Sequence, residues 1–207
     1  MCLIIHKPAN QSLPEGLLDS AATYNPHGFG VMTFGNDNRP VVRRSSRTNL
    51  RELHRICDSL GQKECVIHLR YATSGKHDLE NAHPFRITRD IYVAHNGTLN
   101  LNRHTSGKSD TWHLVNDYLR PVLSKNPALL HDRFFQHMVS AWCGPNNRFV
   151  FLDNQQKKAV IVNRQQGFEV NGVWLSNTRW FESNRFDWAP RSLATKSAEP
   201  HTALFSI

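Results

Sequence analysis

The chain has 207 residues, 39% of them hydrophobic and 20% charged, with 11 glycines and 10 prolines. That composition fits one soluble globular unit with a substantial core and excludes a disordered or fibrous chain. The formal charge of +8 admits a polyanionic partner. However, the densest basic run, 43–47, contains no aromatics of the kind that stack bases, so nucleic acid stays a weakly supported partner.

Residues 2–6 read as a buried strand, an apolar run bounded by Pro8, and a short helix is expected over 14–22. The runs 29–34 and 40–43, around the turn-rich segment 35–38, predict a hairpin. Leu50, Leu53, His54, Ile56, Cys57 and Leu60 recur at helical spacing, with Thr48 or Asn49 as N-cap and Gly61 as stop. Strands are expected over 65–70 and 91–94, separated by a polar, histidine-containing excursion. Ser109 and Asp110 can cap a helix running to about Leu119, and 129–141 reads as a second amphipathic helix. Apolar runs 148–152, 159–163 and 170–175 supply the last strands, and periodicity weakens after about Ser183. This order implies mixed α and β structure with mainly antiparallel sheets, accommodated by two sheets between helix layers.

No stretch approaches the roughly 20 apolar residues of a membrane span, and Leu3 to Ile5 is too short for a secretory apolar region, so a cytoplasmic location is expected. Four cysteines without a CxxC pair indicate neither a zinc site nor a disulfide framework, and the 12 histidines are scattered, so no metal is expected.

Cys2 follows the initiator Met1 directly. Loss of that one methionine would put a thiol and a free α-amino group on one residue. The amine, with a reference pKa of about 7.7–8.0, can accept the thiol proton near neutral pH. Such N-terminal residues serve covalent acyl transfer. Four further segments accompany it in order: HLRYATSG (68–75), NAHP (81–84), AHNGT (94–98) and SDT (109–111).

With Cys2, these segments resemble the glutaminase domain of the class II glutamine amidotransferases, of the N-terminal nucleophile hydrolase superfamily, over roughly residues 2–180. The resemblance implies an α+β fold: a four-layer αββα sandwich of two mainly antiparallel sheets between helix layers. It also implies a domain over 2–182, with 183–207 an extension that wraps the surface or is partly mobile. Cys2 would be the catalytic nucleophile, with Asn96 and Gly97 as the two oxyanion donors. Read alone, Asn96 and Gly97 could equally be a type I′ hairpin turn.

Arg70 would pair with the α-carboxylate of L-glutamine through its planar fork, and Asp110 with the α-ammonium group. Thr73 and His83 match a loop that closes over the substrate, although an ordinary loop histidine is the alternative for His83. Tyr71 stands at an aromatic position and is expected to pack. His95 is not assigned as base, because the resemblance gives that role to the Cys2 amine. The segment 25–30 lacks the arginine that some relatives carry there, which leaves support of the Cys2 region open.

The expected function is release of ammonia from L-glutamine through a thioester at Cys2, without cofactor. The ammonia would go to a separate acceptor synthase chain, or be released by a stand-alone amidase. Alternatives are an N-terminal nucleophile amidase acting on another γ-glutamyl amide, and a catalytically inactive basic binding protein on the same fold.

Overall fold

A computed structural model describes residues 2–36, 39–72, 75–101 and 105–180. Two antiparallel sheets organise them. The first contains β1 (Leu3–Lys7), β2 (Phe29–Thr33), β3 (Val41–Ser45), β4 (Cys65–Leu69), β9 (Phe168–Val170) and β10 (Val173–Leu175), in the order β3-β2-β4-β1-β10-β9. The second contains β5 (Phe85–Arg86), β6 (Ile91–Asn96), β7 (Arg148–Asp153) and β8 (Lys158–Val162), in chain order. Helices α1 (Leu17–Tyr24) and α2 (Leu50–Leu60) precede the second sheet. Helix α3 (Asp110–His113) runs through a π-helical stretch (Leu114–Leu119) into α4 (Arg120–Leu123), and α5 (Arg133–Cys143) follows.

Three apolar layers follow from the two-residue period of the strands. Leu3, Ile5, Val31, Ile67 and Leu69 point one way and pack under Leu17, Leu18 and Ala21 of α1 and Leu53 of α2. Ile4, Met32 and Val66 point the other way and meet Ala94, Val150 and Leu152 of the second sheet. Val93, Phe149, Phe151, Val160 and Val162 then face Leu114, Val115, Leu119, Leu123 and Val139 on the far helices. The molecule is therefore layered helix, sheet, sheet, helix, the αββα sandwich the resemblance implied. Covering both faces of both sheets is why β1 and β7 read as continuous apolar runs rather than alternating ones.

Several element boundaries differ from the sequence reading. The run 170–175 is not one strand. It is the hairpin of β9 and β10, turning on Asn171 and Gly172 at φ 48° and 76°, the left-handed pair a type I′ turn requires. The helix expected over 129–141 begins later, because Asp132 accepts from the Phe135 N–H at 2.8 Å and caps α5, after a separate 3₁₀ turn (Pro127–His131). The helix expected to stop at Leu119 continues past Pro121. The backbone widens before it, with the Arg120 N–H reaching Val115 O, and a wider turn tolerates a residue with no N–H to donate. By contrast, Asn49 caps α2 through a bond from the Glu52 N–H, and Gly61 ends it at φ 51°. Residues 183–207 lie outside the described residues, as does part of the turn between β2 and β3.

Glycine 30 sets a packing constraint that reaches the second sheet's approach. A Cβ there would lie 1.8 Å from the His83 carbonyl oxygen, so strand β2 and the 83–84 peptide approach as closely as a hydrogen side chain allows. Gly30→Ala should therefore cost about 1–3 kcal/mol and lower the melting temperature by about 3–10 °C. Thermal unfolding followed by circular dichroism checks this, and an unchanged melting temperature would contradict it.

Candidate active site

Cys2 sits one residue ahead of β1, a central strand of the first sheet. Because β1 pairs with β4 in the register Leu3↔Leu69, Cys2 falls opposite the end of β4, beside Arg70 and Tyr71. The half-buried thiol lies 3.4 Å from the Tyr71 carbonyl and accepts from the Tyr71 N–H at 3.3 Å. Its own carbonyl accepts from the Asn177 side chain at 2.7 Å. Burial pushes the thiol pKa up, while the Tyr71 N–H and the Arg70 charge draw it back down.

Arg70 is buried, with the backbone around it fixed by Gly28: its N–H donates to Gly28 O at 2.8 Å. The guanidinium donates to Lys76 O at 3.0 Å, tying it to the polar segment that follows. Burial lowers its pKa, against the opposing pull of the Cys2 and Asp78 sides. The segment 25–30 thus supports the Cys2 region through backbone bonds to Arg70, without an arginine of its own.

Asp110 opens α3, whose N-cap Ser109 accepts from the Trp112 N–H at 3.2 Å. One carboxylate oxygen accepts from the Leu99 N–H at 2.7 Å and the other from the Thr111 N–H at 2.8 Å. These bonds aim the carboxylate while holding it buried. Asn81, which the sequence reading quoted within a motif but gave no role, is fully buried and joins two loops: it donates to Gly107 O at 2.8 Å and accepts from the Ser109 N–H at 2.7 Å.

Gly97 follows β6 at φ 151°, and a Cβ there would come within 2.2 Å of Asn147 Oδ1. The chain does not form a hairpin at this point, since β6 pairs with β5 and β7 and not with the segment after Gly97. The hairpin alternative for Asn96 and Gly97 is thereby removed. The Asn96 side chain is buried between the sheets and donates to the Ser176 hydroxyl oxygen at 2.8 Å, which also accepts from the Ile4 N–H at 2.8 Å. No sequence signal marked Ser176.

Three buried histidines cluster together, two of which, His83 and His95, line the cavity that also holds Cys2. The ring centroids of His68 and His83 are 4.0 Å apart, and those of His83 and His95 are 6.4 Å apart. His68 Nε2 donates to His95 O at 3.1 Å. Neither ring nitrogen of His83 has a hydrogen-bond partner among the described residues. Burial drives all three pKa values down, that of His68 to about 3, and their mutual proximity adds to the effect for His68 and His83. The cluster is neutral at physiological pH.

Cys2, Arg70, His83, Gly97 and Asp110 line one shared cavity. The Asn96 side chain stands behind its wall, and Thr73 lies outside the described residues. The cavity holds only ≈ 20 Å³, room for about one water, so an amino acid enters only if the surrounding loops part. A wider concavity, ≈ 560 Å³ between Arg86, Arg89 and Arg120, lies at the opposite end of β6 and contains no cysteine. Among the described residues no three His, Cys, Asp or Glu side chains are grouped as a metal requires, and no helix is long and apolar enough to cross a membrane.

The family model of the class II glutamine amidotransferases matches residues 15–144. That span holds Arg70, His83, Asn96, Gly97 and Asp110; Cys2 precedes it. Among solved structures, the chain is similar to a glutamine aminotransferase class-II domain protein from Silicibacter pomeroyi, at 16% identity and a TM-score of 0.42, covering 74% of this chain and 73% of that one. It is also similar to glutamine phosphoribosylpyrophosphate amidotransferase from B. subtilis, at 15% identity and a TM-score of 0.49, covering 87% of this chain and 43% of that one. No curated protein matches the chain significantly.

The neutral histidine cluster carries a stability consequence. An unfolded histidine titrates near 6.5, whereas His68, His83 and His95 stay unprotonated in the fold to lower pH. Below about pH 6.5 the unfolded chain therefore binds more protons, and stability present above that pH is lost as the pH falls. Between pH 7 and pH 5 the loss is about 2 kcal/mol for His68, and His83 and His95 add to it in the same direction. Melting temperatures across that range should fall steadily, and a flat profile would show that the rings protonate in place.

Proposed function

The chain belongs to the class II glutamine amidotransferases, and from that premise we propose that it hydrolyses the side-chain amide of L-glutamine to glutamate and ammonia through a thioester on Cys2. The single observation that carries the reading is the common cavity of a thiol, a buried arginine, a buried carboxylate and a glycine turn.

In this mechanism removal of Met1 frees the Cys2 amine, which takes the thiol proton. The sulfur attacks the side-chain carbonyl carbon, and the carbonyl electron pair moves onto oxygen. The Gly97 N–H and the Asn96 carboxamide are the donors for that oxyanion. Only one Asn96 N–H is needed by Ser176, which leaves its second N–H for the developing charge. Collapse of the tetrahedral species expels ammonia, protonated by the same amine. Water, deprotonated by the amine, then attacks the thioester and restores the thiol.

Substrate selection follows from the two ends of the cavity. Arg70 would receive the α-carboxylate as a bidentate pair, and Asp110 the α-ammonium group. His83 presents a neutral ring to the same space, a hydrogen-bonding surface without excess charge that suits the uncharged side-chain amide. Admission of the substrate requires the segment around 75–84 to part from 105–109, breaking the Lys76 N–H bond to Gly107 O and the two Asn81 bonds.

Cys2→Ala should abolish ammonia release from glutamine in protein whose mature N-terminus has been verified by intact mass. Retained release in that variant would overturn the reading. Asp110→Asn should raise KM for glutamine by about 10- to 100-fold, the worth of one charge-assisted contact, with a smaller effect on kcat. Steady-state ammonia assays with glutamine and with larger γ-glutamyl amides measure both and report the preferred substrate.

A further inference from the structure

Asn147 lies in the loop between α5 and β7 and is buried, yet it does not line the cavity. Its surroundings fix the orientation of its carboxamide. Nδ2 lies 2.5 Å from the Cys143 carbonyl, which can only accept, so the nitrogen faces α5 and Oδ1 faces the second sheet. There Oδ1 stands 2.9 Å from His95 Nε2, which must therefore carry the ring proton. The other ring nitrogen, Nδ1, is left to accept from the Thr111 hydroxyl at 2.7 Å. Thr111 in turn gives its N–H to Asp110. The direction of the bonds from Asn147 through His95 to the Thr111 hydroxyl is settled by one backbone carbonyl.

The same Asn147 oxygen occupies the space on the Cβ side of Gly97. One side chain thus holds both neighbours of Asn96, by a hydrogen bond on one side and by contact on the other. It is itself anchored: Asn163 Nδ2 donates to the Asn147 carbonyl at 2.7 Å and to Gly144 O at 3.1 Å, and the Asn163 Oδ1 accepts from the Ser140 hydroxyl at 2.5 Å. Resting on the glutaminase reading above, we infer that Asn147 is a positioning residue that holds the 95–97 turn so that its donors meet the oxyanion without reorganising.

Asn147→Ala leaves the His95 N–H unpaired in the interior and opens space beside Gly97. The oxyanion donors then lose alignment, while Arg70 and Asp110 still grip the two ends of the substrate. The expected result is a fall in kcat of about 10- to 100-fold with KM for glutamine within about twofold. In the same variant, the Gly97 amide should exchange its hydrogen at least tenfold faster than in the parent, while exchange at Val93 stays the same. Asn163→Ala frees the Asn147 carbonyl without touching the turn, and should show the same signature more weakly, about threefold to tenfold in kcat; it carries the test if Asn147→Ala does not fold.

An unchanged kcat with unchanged Gly97 exchange overturns the inference, as does a loss carried by KM. Parent protein that releases no ammonia would sink the glutaminase reading instead. The exchange comparison would still decide whether Asn147 holds the turn.

Discussion

The antiparallel ladder between β1 and β4 is the constraint on which the site depends. β1 is paired on both sides, by β4 and by β10, and its five residues are all buried. A strand in that position cannot slip by one residue without turning Leu3 and Ile5 from the helix layer toward the second sheet. The register that satisfies the core therefore also dictates that the residue before Leu3 lies against Arg70 and Tyr71. Cys2, one residue outside the ladder, is thereby tied to the sheet's interior through its bonds to Tyr71 and Asn177.

The second sheet contributes the complementary half by the same alternation. Along β6, Val93 and His95 face the helices while Ala94 and Asn96 face the first sheet. His95 accordingly stacks on Phe149 at 4.5 Å and reaches Thr111 on α3, whereas Asn96 reaches across to Ser176. Two consecutive side chains thus bond to two different layers, and the peptide at Gly97 is left between them at the cavity wall. The start of α3 places Asp110 opposite, its carboxylate aimed by the backbone N–H groups of Leu99 and Thr111.

Close approach takes the place of additional side chains at two points. Gly30 lets β2 run under the His83 peptide, and Gly97 lets the Asn147 carboxamide lie against the turn. The first contact sets His83 at the cavity wall, and the second braces Gly97 there from behind. The buried neutral histidines fit the same economy, with His83 and His95 supplying polar edges at the cavity wall while avoiding the cost of buried charge. The site combines few charges with many fixed dipoles.

Much of this was legible in the chain itself. Apolar runs gave the strands of both sheets except β5 and the break between β9 and β10, Asn49 and Gly61 bounded α2, and the order of Cys2, Arg70, Asn96, Gly97 and Asp110 drew attention to residues that the structure brings around one cavity, with Asn96 just behind its wall. A local signal was passed over inside the run 170–175, read as one strand. The Asn171 and Gly172 pair is the hairpin turn that Asn96 and Gly97 only resemble, and the difference lies in which strand follows rather than in the dipeptide. Ser176 and Asn147 carried no signal, and Asn81 stood in a motif without a role, because each acts through a partner 26 or more residues away in sequence. Sequence determined which chemical groups the protein owns and the periodicity that buries its strands. Only the tertiary structure decided which groups meet, since a hydrogen bond between distant segments depends on strand register and layer packing that no local pattern encodes.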